Sequence, residues 1–153
     1  MNGSPAHRAH RSDPNVAVLA GQLREHAAGV LADIAAVDLL IGQRTWLSRP
    51  DFGRHIHHQP CPAAASNHRS GPAPTDTPDP HLPPWSNAWI DWPAALTALT
   101  GGQLPCTGSE AAVLRIAAAL GADLPVCLRQ VLVGLDRPTI ALITTAITRA
   151  NGA

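Results

Sequence analysis

His55, His57, His58 and Cys61 fall within seven residues, with His68 and His81 further downstream. Neutral imidazole and thiolate are the donors that zinc takes up in a tetrahedral set, and structural zinc sites pair closely spaced ligands. The four residues therefore suggest a metal site, and zinc is the one cofactor for which the sequence holds a ligand set. A metal-responsive protein is the reading that follows. The plainer reading is a polar segment that happens to carry histidines, because no second ligand pair follows at a fixed spacing.

Other reactive side chains form weaker constellations. Cys106 directly precedes Thr107-Gly108-Ser109-Glu110, so its thiol is expected near a helix N-terminus, where the dipole favours thiolate. A catalytic cysteine also needs a base, and residues 85–153 contain no histidine. Cys106 and Cys127 are accordingly read as small apolar side chains. Asp33 and Asp38 lie five apart and do not share a helical face, while Glu25 and Glu110 are the only glutamates. Gly101-Gly102 is followed by Gln-Leu-Pro, without the Lys-Ser/Thr of a phosphate-binding loop. Nothing in these patterns argues for an enzyme.

Trp85, Trp89 and Trp92 stand at spacings of four and three. Exposed, such rings anchor interfaces. Buried, they supply the bulk that an alanine-rich interior lacks. Pro93 argues against one continuous helix through all three.

These residues need elements to hold them. The first helical signal is Asp13-Pro14, an acidic N-cap followed by proline at the first helical position. No proline follows before Leu47. Leu23, Ala27, Val30, Ile34, Val37 and Ile41 recur at alternating spacings of four and three, one apolar stripe close to a heptad seam. An unbroken helix here would run about 50 Å. Gly29 is its weak point, at a cost of roughly 1 kcal/mol relative to Ala, so one long helix and a helical hairpin both fit.

From residue 49 to 84 the composition turns to Pro, His, Ser and Asn, with nine prolines from Pro50 onward. Only Phe52, Ile56 and Leu82 are bulky and apolar there, too few to offset the entropy of ordering the segment. A disordered linker is the expectation. Residues 85–153 then carry four helix signatures. Asp91-Trp92-Pro93 opens a helix ending near Gly101-Gly102. Thr107 and Glu110 form a capping box that opens another, stopping at Gly121. Leu124-Pro125 opens a third ending at Gly134, and Asp136-Arg137-Pro138 a fourth ending at Asn151-Gly152.

The stretch Leu104-Pro-Cys-Thr-Gly-Ser-Glu-Ala-Ala-Val-Leu-Arg-Ile-Ala-Ala-Ala-Leu, followed by Val131-Leu-Val-Gly-Leu-Asp-Arg, resembles the C-terminal part of small hypothetical actinobacterial proteins. That group has no assigned activity. The resemblance implies a source, and no functional residue comes with it.

The sequence thus predicts an all-α protein in four parts: an arm over 1–12, an amphipathic helix or hairpin over 13–48, a Pro/His-rich linker over 49–84, and a small four-helix block over 85–153. All 11 basic residues are Arg and balance 11 acidic ones, so no basic face marks a nucleic-acid binder. A DNA-associated regulator would have to use the last three helices as a helix-turn-helix, with Arg129 and Gln130 or Thr139, Thr144, Thr145, Thr148 and Arg149 facing a groove. Three cysteines fit no disulfide framework, and no apolar run is long enough for a leader or a membrane span, so a cytoplasmic location is expected. The leading functional expectation is a non-enzymatic interaction or adaptor protein. Its protein partner or second copy would dock through Leu23, Val30, Ile34, Val37 and Ile41, with Trp85 and Trp89 as further anchors.

Overall fold

A computed structural model describes residues 14–59 and 87–152. Proline begins α1, Pro14–His26, and Arg24 and His26 sit in its last turn, where positive charge suits the carbonyl end of the helix. The chain then breaks. Gly29 adopts φ 99°, a left-handed conformation that a side chain resists, and α2, Leu31–Gln43, starts immediately after it. Of the two arrangements that fit the sequence, the structure has the two-helix one.

α2 is apolar almost all round. Ala35, Ala36, Val37, Leu39 and Leu40 are buried on several of its sides, as in a helix enclosed by others rather than lying on a surface. It is covered by α1, by α5 (Gly108–Ala122) and by α7 (Arg137–Ala150). Along α7 the two chains run antiparallel: Leu142 lies over Gly42 at one end, and Leu31 lies beside Gly152 at the other. The carboxylate of Asp38 fastens the same three-helix junction. Its Oδ1 accepts from Arg24 Nε of α1 at 2.7 Å, and its Oδ2 pairs with Arg149 Nη1 of α7.

After α2, Arg44 turns left-handed (φ 65°) and its N–H bonds the Leu40 carbonyl, which ends the helix. A single 3-10 turn, Trp46–Ser48, leads into a one-turn α3, Pro50–Gly53. Trp46 is wholly buried there. Its Nε1 donates to the Glu110 carbonyl at 3.1 Å, the Phe52 ring lies 5.2 Å away, and the Arg49 guanidinium covers the indole at 4.8 Å. Arg49 is held in turn by a two-pronged pair with Asp51.

Two strands follow where only helices and a linker were expected, which corrects the all-α expectation to a mostly helical fold with a small sheet. β1, Ile56–Gln59, pairs antiparallel with β2, Asn87–Ile90, in the register Ile56↔Ile90, His57↔Trp89, His58↔Ala88 and Gln59↔Asn87. The inward face carries Ile56, Ala88 and Ile90, all buried. Each strand is four residues long, too short to show alternation on its own. Residues 49–59, assigned by composition to the linker, thus contribute Phe52 and Ile56 to the core. Cα pairing continues into a hydrogen bond from Asp91 N to the His55 carbonyl at 2.8 Å.

The second half follows its capping signals. Asp91 accepts from Ala94 N and opens α4, Trp92–Thr100. Thr107 and Glu110 close both arms of the capping box on α5. Asp136 accepts from Thr139 N at the start of α7. The third helix is shorter than expected: Leu124 to Val126 precede it as a connection, Cys127 is its extended N-cap, and α6 covers only Leu128–Leu132. Pro125 suits an extended segment as well as a first helical turn, because its fixed φ serves both. Among the described residues no helix is long and apolar enough to cross a membrane.

Two glycines separate close packing from tolerated space. A Cβ on Gly121 would lie 2.7 Å from Trp92 Nε1 and 2.8 Å from Cε2, both in a rigid, buried ring. Gly121→Ala is expected to cost about 1–2 kcal/mol in urea unfolding, the overpacking penalty exceeding the gain in helix propensity. A Cβ on Gly42 would meet only the end of the half-buried Leu142 side chain, at 2.9 Å. Gly42→Ala is therefore expected to leave stability unchanged or raise it by up to ~1 kcal/mol.

The Asp51 carboxyl is held at about 2, below its ordinary 3.8, mainly by its hydrogen bond from Arg49. Its contribution is therefore complete above the ordinary value and lost as pH falls through 2. The stability gap between the native chain and Asp51→Asn, followed by urea unfolding across pH, should be largest above pH 3.8, narrow below it, and close beneath pH 2.

Candidate functional site

The sheet brings its aromatic and imidazole groups to the end of α1. Trp89 on β2 and His57 on β1 share one face of the ladder, and their rings stack with centroids 5.4 Å apart and planes at 25°. His26, in the last turn of α1, takes a second position against the same indole at 5.9 Å. The His57 Nε2 lies 3.9 Å from Asp91 Oδ2, the oxygen not used to cap α4. Trp89 is therefore bracketed by two imidazoles that belong to different elements.

Beside this group opens a cleft of about 120 Å³. Leu23 of α1, Ala27 just after it and Val37 of α2 form its apolar floor, with Ala88 and Ile90 of β2. Trp89 and Trp92 supply aromatic walls, and His26 and Asp33 the titratable groups. Gly121 of α5 completes it, with the Trp92 indole laid against its bare Cα. The packing that buries Trp92 is thus also what shapes the cleft.

Of the four residues expected to bind metal, the three described ones do not come together. His57 and His58 are adjacent on a strand and so project to opposite faces. His55 turns toward Phe52, with ring centroids 6.4 Å apart. Cys61 lies outside the described residues. Among the described residues no group of three His, Cys, Asp or Glu side chains comes together in a manner that would hold an ion.

The expected docking stripe is largely consumed inside the chain. Leu23 and Val37 are 2% and 5% exposed, and Ile34 and Ile41 are partly buried against the same core. An amphipathic stripe must be covered by something, and here α5, α7 and β2 cover it. Only Val30, at the break between α1 and α2, is left half exposed. Trp89 is partly exposed in the stack described above, and Trp85 lies outside the described residues.

Large apolar side chains do reach solvent elsewhere. Leu128 and Leu132 of α6, Val133 directly after it, and Ile140 and Ile147 of α7 are all exposed, Val133 to 77%. Sequence periodicity missed this surface because Leu128, Leu132, Ile140 and Ile147 stand at the same helical spacings as core residues. Only the tertiary arrangement shows that Val131, Ile143 and Ala146 face inward instead.

The cysteine chemistry differs from expectation as well. Burial pushes the Cys106 thiol above its ordinary value, and the Glu110 carboxylate adds to this against the opposing guanidiniums of Arg49 and Arg115. The thiol is therefore kept protonated rather than activated by the adjoining helix. Alkylation of Cys106 under native conditions should run slower than that of the exposed Cys127, a difference readable by mass spectrometry of the labelled peptides. Compared with known protein families, with curated proteins and with solved structures, the chain shows no significant match.

Proposed function

We propose that the protein is a non-enzymatic helical interaction module that associates with a second copy of itself through α6 and α7. The observation that carries this reading is the exposure of Leu128 and Leu132 in α6, of Val133 directly after it, and of Ile140 and Ile147 in α7. Five such side chains in water are costly. Covering a large aliphatic side chain contributes about 1.5–3 kcal/mol, and exposed aliphatic side chains that share a helix face, as Ile140 and Ile147 do, can be covered together.

A second copy suits the surface in two respects. Ile140, Thr144 and Ile147 follow one face of α7 at helical spacing. In an antiparallel pair of α7 helices about a two-fold axis, Ile140 of one copy meets Ile147 of the other, so a single patch complements itself. The chain also carries equal numbers of acidic and basic residues, so two copies approach without net repulsion. Nucleic acid is a poorer fit: Arg149 is already paired with Asp38, leaving Arg129 and Arg137 as the basic groups of these two helices.

Light scattering on size-exclusion peaks of the full chain tests the reading. A concentration-dependent dimer is expected, converted to monomer by Ile147→Glu or Val133→Asp with the helical circular dichroism unchanged. A monomer at every concentration, or a dimer indifferent to both substitutions, overturns it.

A further inference from the structure

We propose that Asn151 is a site of spontaneous covalent modification, in which its side-chain amide becomes a carboxylate and the end of α7 thereby loses its seat on the start of α2. The proposal stands whether or not a second copy docks on α6 and α7.

The chemistry begins with the pair Asn151-Gly152. The amide carbon of an asparagine is an electrophile, and the backbone nitrogen of the next residue is a nucleophile within its reach. Once that nitrogen gives up its proton to hydroxide, it attacks Asn151 Cγ. The bond from Cγ to Nδ2 breaks, and ammonia leaves with a proton taken from water. A five-membered cyclic imide results. Water then adds to one of its two carbonyl carbons and opens the ring, giving either aspartate or isoaspartate, in which the main chain runs through the former side chain. No oxidant or cofactor enters. Glycine in the next position favours ring closure because it has no Cβ to crowd the approach. Both residues are exposed, so hydroxide and water reach them.

The fold holds this pair in an unreactive arrangement. Asn151 caps α7 with ψ 3°, which turns the Gly152 nitrogen toward the residue's own backbone nitrogen, whereas ring closure needs it turned toward Cβ. The Gly152 N–H donates to the Arg149 carbonyl at 3.0 Å, and Asn151 Nδ2 donates to the Ile147 carbonyl at 3.1 Å. Leu31 of α2 lies beside Gly152 and keeps the turn in place. The reaction therefore waits for the last turn of α7 to open, and helix ends are where such openings are least costly.

The product does not return to the same seat. A carboxylate at the C-terminal end of a helix is opposed by the helix dipole. Two residues from Arg149, it competes with Asp38 for the guanidinium that ties α7 to α2. Isoaspartate also lengthens the main chain by one carbon, which breaks the hydrogen bond from Gly152 to the Arg149 carbonyl and shifts Gly152 away from Leu31.

Ageing the full chain in mildly alkaline buffer tests this. Amide-to-acid conversion is read by mass spectrometry, with fragmentation separating Asn151 from Asn2, the other asparagine followed by glycine. Conversion at Asn151 is expected to proceed, to accelerate with pH, and to run at least fivefold slower in the native chain than in the same chain unfolded in urea. Leu31→Ala, which removes a half-exposed side chain beside Gly152, is expected to speed it about threefold with the helical circular dichroism unchanged. Asn151→Asp, which supplies one product directly, is expected to lower the urea midpoint. Three results would each overturn the proposal: Asn151 remaining an amide in the native chain while the unfolded chain converts, equal rates in the two, or an Asn151→Asp variant as stable as the parent.

Discussion

Enclosure of α2 is the constraint on which the rest depends. A helix apolar on nearly every side has no stable place at a surface, so three other helices must surround it. They can come close only because the contacting positions are small. Ala35 and Ala36 are fully buried, and Gly42 lies directly under Leu142. Small residues bury little area each, so the arrangement gains stability from close approach and dispersion rather than from bulk. Asp38 adds a directional element, since one carboxylate holds arginines from two different neighbours of α2. The bulkiest side chains of the core, Trp46, Phe52 and Trp92, come from outside α2 and are buried with it.

The polar chemistry of the chain is spent mostly on architecture. Asp91, Glu110 and Asp136 complete helix caps, and Asp51 holds the guanidinium that covers Trp46. Chemistry-bearing residue types in a sequence are therefore a poor guide to reactive sites in this molecule.

What could be read in advance divides along the same line. Capping is local, and Thr107 with Glu110, Asp91 and Asp136 each announced a helix start that the structure contains. The break at Gly29 was legible as a weak point, since a glycine inside an apolar stripe has a physical cost wherever the stripe ends up. The ladder between 56–59 and 87–90 was not legible. Its two strands are far apart in sequence, each is too short for a periodic signal, and one of them carries two histidines. The stripe from Leu23 to Ile41 was visible as apolar, but its period says only that it must be covered. It does not say whether by this chain or another. The candidate cleft escaped for the same reason: it is built from five separate elements and has no local pattern.

The antiparallel seating of α7 along α2 has a consequence for how the molecule comes into being. The helix that covers Gly42 is translated long after α2 itself has left the ribosome. Until then the most apolar helix of the chain lacks one of its walls, and α5 alone cannot replace it. The nascent protein therefore passes through an interval in which its interior is open to solvent and to other chains. Contacts of such wide sequence separation also make folding slower than the short helices alone would suggest. Premature termination ahead of α7 would leave no smaller version of the fold, only a sticky remnant for chaperones or proteases to clear.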